Sequence, residues 1–91
     1  MHFLLLYEVV DDFINRRAPL RPQHLKLVEQ AHQRGELVMA GAFADPVDGA
    51  ALVFRSSDPS VARRFAETDP YVTSGLVTKW RVRGWNVVVG S

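Results

Sequence analysis

Of the three histidines in this chain, His24 stands where an imidazole can do chemistry. The periodicity of Arg21–Arg34 predicts a helix, and at 100° per residue His24 shares one arc with Leu25, Leu27, Val28 and Ala31. Lys26, Glu29, Gln30 and Gln33 fill the opposite side. Leucine or isoleucine is the usual occupant of such an arc. A histidine there is either a core group satisfied by a neighbour or part of a site. Its titration near neutral pH suits it to take and return a proton. Asp69 is its candidate partner. It extends the apolar arc of a second helix, beside Ala62 and Phe65, although an Asp before Pro70 is also an ordinary turn residue. A carboxylate against an imidazole would hold its tautomer and stabilise the imidazolium.

Four further residues are candidates for binding a ligand. Tyr7 closes the first predicted strand and can either donate a hydrogen bond or serve as a wall aromatic. Gly41 lies within the second strand, where a glycine often admits close approach of a ligand or backbone. Arg16 and Arg17, followed by Arg21, lead into a helix N-terminus, a place that attracts anions; a solvated loop is the ordinary alternative. No metal site is expected. His24 and His32 are eight positions apart, roughly 12 Å along a helix, too far to share an ion. With no cysteine, disulfides and thiolate ligands are excluded. Nucleophile motifs, phosphate loops and dinucleotide fingerprints are also missing, so no cofactor is expected.

The elements that must position these residues follow from pattern. Residues 2–9 read as a strand apolar on both faces: Phe3, Leu5 and Tyr7 on one, Leu4 and Leu6 on the other. Residues 11–19 read as a loop with one helical turn. Pro22 suits the first turn of the helix that follows and Gly35 its end. Residues 36–44 and 50–55 predict a hairpin around Asp48-Gly49. Asp58-Pro59 opens a second helix that ends near Thr68. A last strand runs from Leu76 to Val89, and its apolar phase slips across Gly84, which predicts a bulge there.

Strand, helix, strand, strand, helix, strand is the ferredoxin-like order, an α+β fold with two helices on one face of an antiparallel sheet. With the first strand pointing up, the start of the first helix and the end of the second both lie at the top. His24 and Asp69 then face inward at the same end, together with Tyr7. The opposite sheet face keeps apolar positions, and a second copy of the sheet is the simplest cover.

Composition narrows the classes. Ninety-one residues form one domain, spanning 1–91, and 47% apolar with 23% charged is ordinary globular usage. A net charge of +1 is too weak to argue for nucleic acid. The apolar run at the N-terminus is followed at once by Glu8 and reads as a strand, and no stretch approaches the roughly 20 residues of a membrane span. A cytoplasmic location is the default expectation.

Three stretches resemble the YciI-like (YCII-related) family of the dimeric α/β-barrel group. Arg21-Pro22-Gln23-His24-Leu25 is similar to its R-x-x-H-L helix start. Leu37 to Ala42 is similar to its L-x-x-x-G strand. Thr68-Asp69-Pro70-Tyr71-Val72 with Gly75-Leu76-Val77 is similar to its D-P-[YF] turn and following strand. The Arg16-Arg17 pair and Trp80-Arg81-Val82-Arg83 are typical of one branch. The resemblance covers almost the whole chain and implies a ferredoxin-like subunit, a homodimer with facing sheets, and a His–Asp pair. It implies no single reaction: most members are uncharacterised, a few relatives act on ring compounds as dehydrochlorinases or in muconolactone-isomerase-like chemistry, and others occur beside transcription-regulatory machinery.

The resulting expectation is a cofactor-independent enzyme in which His24 and Asp69 perform general acid/base chemistry of the lyase or isomerase kind. Its substrate would be a small, anionic ring compound bound by Tyr7, Arg16, Arg17 and Gly41. The alternative is a non-catalytic dimer that binds a small ligand or a partner protein. Neither nucleic acid nor membrane is expected as a partner.

Overall fold

The computed structural model describes residues 1–90. Eight elements follow one another: β1 (His2–Val9), α1 (Phe13–Arg17), α2 (Arg21–Gln33), β2 (Leu37–Ala42), β3 (Gly49–Arg55), α3 (Ser60–Thr68), α4 (Pro70–Thr73) and β4 (Val77–Trp85). The four strands form one antiparallel sheet in the order β2-β3-β1-β4. This is the ferredoxin-like α+β topology the pattern predicts. The helical turn expected after β1 is α1, and α4 is a short addition after α3.

Alternation along β1 sends Phe3, Leu5 and Tyr7 into the core, where they are at most 5% exposed. Their β3 partners in register are Phe54, Leu52 and Ala50, so these point the same way. Ala31 of α2 and Ala62, Phe65 and Ala66 of α3 complete the core from the helix side. The Phe54 and Phe65 rings meet edge-on at 5.4 Å. Small side chains on the helices bring both close to the sheet, which is what lets their ends approach one another.

Two irregularities adjust the sheet, and neither is at Gly84. Gly84 pairs in register with Phe3, and β4 stops one residue later at Trp85, short of the expected Val89. The change of apolar phase therefore marks the end of the strand. Trp85, paired with His2, belongs to the face away from the helices and is 46% exposed. The β4 bulge is at Thr78, where Glu8 and Val9 of β1 pair with Lys79 and Val77.

The second bulge is at Val38: Leu37 pairs with Phe54, but Met39 pairs with Val53. One extra residue reverses the faces for the rest of β2. Ala40 and Ala42, opposite Leu52 and Ala50, thereby come to the helix side, and Met39 turns to the open face. A bulky methionine is exchanged for two methyl groups where the site lies.

Gly49 controls the approach of β3 to β1. A Cβ there would collide with the Tyr7 carbonyl oxygen and stand 3.0 Å from the Phe43 ring. Gly49→Ala is expected to destabilise the fold by about 1–3 kcal/mol, read as a lower urea midpoint. Gly84→Ala is the control, since a Cβ there would sit 4.0 Å from the Phe3 ring, an ordinary contact. Equal midpoints for the two variants would contradict the close approach at Gly49.

Candidate active site

Asp69 ends α3 and begins α4. Its backbone N–H donates to the Phe65 carbonyl at 2.9 Å, and its side chain caps α4 by accepting from the Tyr71 N–H at 3.0 Å. Pro70 in the first position of α4 fits this turn, because its missing N–H would have had no partner there. The turn folds the carboxylate inward until it is 0% exposed.

Two side chains from distant elements meet it. The Tyr7 hydroxyl of β1 donates to Oδ2 at 2.8 Å. His24 of α2 places Nδ1 2.8 Å from Oδ1. An ionised carboxylate only accepts, so Nδ1 carries a proton in this pair, and in the neutral imidazole Nε2 is then the acceptor nitrogen. The imidazole lies flat on the Tyr71 ring, centroids 3.9 Å apart and planes within 12°. Phe13 of α1 packs edge-on against Tyr71, with ring centres 5.3 Å apart. Ring orientation at His24 is thus held by a hydrogen bond along its edge and a stack on its face.

A cavity of about 190 Å³ opens beside these groups. Tyr7, His24, Tyr71 and Phe13 form one side, and Leu25 and Val28 continue it along α2. Ala40, Gly41, Ala42, Ala50 and Leu52 form the sheet side, and Arg17 and Arg21 complete the lining. Asp69 does not line it. The carboxylate stands behind Tyr7, His24 and Tyr71, so the wall itself carries two guanidinium charges and no carboxylate.

The structure brings His24, Asp69, Tyr7, Arg17 and Gly41 to this place and leaves Arg16 out. Arg16 is exposed and absent from the cavity wall. Successive helical residues diverge by about 100°, so only one of the pair can turn inward. Arg17 does so with its guanidinium 5.4 Å from the centre of the Phe13 ring. Tyr7 also differs from expectation: its O–H is used by Asp69, leaving a ring and an oxygen lone pair for a ligand. A Cβ at Gly41 would meet no atom within 4 Å, so no part of the chain itself presses on that glycine.

Tyr71 and Phe13 are wall residues that pattern reading did not single out; Arg21, read there beside the Arg16-Arg17 pair, joins Arg17 in the wall. Tyr71 had a signal in its position two after Asp69, within capping distance. Phe13 was an aromatic isolated in a polar loop, a frequent sign of an anchor. Among the described residues, no group of three or more His, Asp or Glu side chains is placed to hold a metal.

Burial keeps the Tyr7 hydroxyl protonated, pushing its pKa far above the ordinary phenol value, and the neighbouring Asp69 charge and hydrogen bond add to the effect. Burial also raises Tyr71, while Arg17 and Arg21 pull it down and Asp69 pushes it up. Both phenols are therefore neutral O–H groups at physiological pH.

Known proteins supply the remaining context. No curated protein shows a significant match to the chain. Among solved structures it is similar to 5-chloro-2-hydroxyhydroquinone dehydrochlorinase (TftG) from Burkholderia phenoliruptrix AC1100, in complex with 2,5-dihydroxybenzoquinone. That likeness has a TM-score of 0.79 at 20% identity over 94% of each chain. An antibiotic biosynthesis monooxygenase is similar at a TM-score of 0.54 and 16% identity, covering 97% of this chain and 98% of the other. At such identities these are likenesses of fold. The family comparison is of another kind, because the model of the YCII-related domain matches residues 1–86, the whole sheet and every helix included. The chain belongs to the YCII-related domain family.

Proposed function

We propose that the chain is a cofactor-independent enzyme in which His24 acts as general base and acid on a small, anionic ring compound, with Asp69 orienting it. The observation that carries this reading is the hydrogen bond at 2.8 Å between His24 Nδ1 and a carboxylate with no solvent access. It leaves Nε2 as the basic nitrogen of a residue on the cavity wall. A neutral Nε2 accepts a proton from a C–H or O–H of the ring, and Asp69 stabilises the imidazolium that forms. The electron pair left behind either expels a leaving group as an anion, the lyase outcome, or shifts along the ring so that His24 returns the proton elsewhere, the isomerase outcome. Both balance without an external oxidant or reductant.

The ring-sized substrate is supported by volume: a buried cavity of about 150 Å³ holds benzene, and this one is about 190 Å³. Its lining is apolar on the sheet side, as a planar ring requires. Negative charge on the substrate is supported by Arg17 and Arg21. The dehydrochlorinase similar in fold acts on a chlorinated hydroxyquinol and was solved with a dihydroxyquinone, a ligand of the class this cavity would take.

The same reading includes a homodimer joined through the open sheet face. Leu4, Leu6 and Val53 lie half-buried at its centre, and Met39 is 64% exposed beside them. A paired sheet would bury this strip, and interfaces of obligate dimers tend to exceed about 2,000 Å² in total.

Three measurements test these statements. With 5-chloro-2-hydroxyhydroquinone as substrate and chloride release as readout, His24→Asn is expected to lose about 10²–10⁴-fold in rate. Its amide can still donate to Asp69, so the fold should survive. Titration with 2,5-dihydroxybenzoquinone, followed by visible absorbance, should show binding by both proteins. Binding without turnover in the unaltered protein would favour the non-catalytic module, and no binding at all would refute the site. For assembly, sedimentation velocity is expected to give a dimer; a folded monomer at low micromolar concentration would sink that part.

A further inference from the structure

The Tyr71 side chain presents a chemical anomaly that the dyad does not explain. Its residue is 4% exposed, and its hydroxyl is buried with no hydrogen-bond partner among the described residues. A buried hydroxyl left unsatisfied costs about 1–3 kcal/mol, and such groups are rare in folded proteins. Tyr7 offers a direct contrast: it is equally buried on the same wall, yet its hydroxyl is fully engaged by Asp69. Packing alone would be served as well by phenylalanine, since the stack on His24 and the edge contact with Phe13 use only the ring.

The charges around this ring point the same way. Arg17 and Arg21 act electrostatically on the Tyr71 hydroxyl and line the same cavity. Among the described residues neither takes part in an ion pair; Arg17 has only its contact with Phe13. Two guanidinium groups outside any ion pair and the residue with one uncommitted O–H donor thus share the lining of one cavity. Such a set suits an oxygen that bears negative charge.

We propose that the Tyr71 hydroxyl, with Arg17 and Arg21, forms the subsite for an anionic oxygen of the ring ligand, a phenolate, enolate or carboxylate oxygen. This rests on the reading of the cavity as a ring-binding site and assigns the ligand's polar end to it. Tyr71 donates its hydrogen to that oxygen, the arginines balance its charge, and the stacked imidazole meets the reacting edge. Access to the hydroxyl asks for side-chain rearrangement, and the arginines are the long, flexible side chains on that part of the wall. When proton removal by His24 drives electron density toward this oxygen, the same three groups hold the charge that accumulates.

Tyr71→Phe is the decisive variant, because it keeps the ring and removes only the hydroxyl. Two readouts are needed: thermal melting of the unliganded protein, and the titration with 2,5-dihydroxybenzoquinone, repeated with neutral hydroquinone. The variant should melt no lower than the unaltered protein and bind the quinone anion about tenfold more weakly, the scale of one lost hydrogen bond to a charged group. Arg17→Gln and Arg21→Gln should each weaken the quinone anion and leave hydroquinone almost unchanged. A clear drop in melting temperature for Tyr71→Phe would mean that the hydroxyl is satisfied within the protein, which overturns the assignment. So would unchanged quinone affinity. In either case, intact quinone binding with slow turnover in His24→Asn would leave the acid/base reading standing, so the two failures are distinguishable. If the unaltered protein binds neither ring, the site reading falls and this subsite with it.

Discussion

A carboxylate without access to water must draw every hydrogen bond from protein, and Asp69 draws three from three elements: the Tyr7 hydroxyl of β1, the His24 imidazole of α2 and the Tyr71 N–H of α4. Removing any one would leave part of a buried acceptor unsatisfied, at a cost of about 1–3 kcal/mol. The constraint is therefore structural before it is chemical. It ties the end of α3 to the start of α2 and both to the middle of the sheet. The aromatic set depends on it as well, since Tyr71 can stack on His24 only while the turn at Asp69-Pro70 is held in place. Phe13, and with it Arg17, then rests on Tyr71.

The electrostatic layout follows from where that carboxylate sits. Its negative charge lies behind the wall, screened from the cavity by the three residues it orients, while the guanidinium groups of Arg17 and Arg21 are on the wall itself. A ligand thus meets positive charge directly and negative charge only through the imidazole. On the proposed reading, this arrangement draws an anionic ligand to the wall and sets the imidazole against it. Size is set from the opposite side. The bulge at Val38 replaces Met39 by Ala40 and Ala42 on the helix side of β2, and with Ala50 these leave room for a flat molecule. Gly49 holds β3 against Tyr7, so floor and wall keep their spacing.

How much of this was legible beforehand differs from residue to residue, for physical reasons. His24 and Asp69 stood out because helical periodicity is strong over Arg21–Arg34 and extends through α3, so a polar group on an apolar arc is conspicuous. Strand directions then follow from connection lengths and handedness alone, which is why their approach at one end of the sheet could be anticipated. The bulges could not be. One extra residue in a strand shifts every later side chain to the other face while leaving composition unchanged, and Val38 and Thr78 carry no mark of it. The phase slip at Gly84 was visible but had two causes, a bulge or the end of a strand, and alternation by itself does not separate them. Arg16 and Arg17 were equivalent in sequence, and only the turn of α1 against Phe13 chose between them.

The chain's own pattern thus determined the element order, the antiparallel α+β topology, and the family, through R-x-x-H-L, L-x-x-x-G and D-P-Y in their order and spacing. These depend on local periodicity and turn chemistry, which neighbouring residues settle among themselves. Tertiary structure decided what those residues mean to one another. Asp69 became the hub because its turn buries it against Tyr7 and His24, 62 and 45 positions away. Tyr71 kept a hydroxyl without a partner because the packing that holds its ring offers no acceptor. The cavity exists because a bulge turned alanines inward. Each of these is a relation between distant parts of the chain, and such relations come into being only when the sheet closes and the helices settle on it.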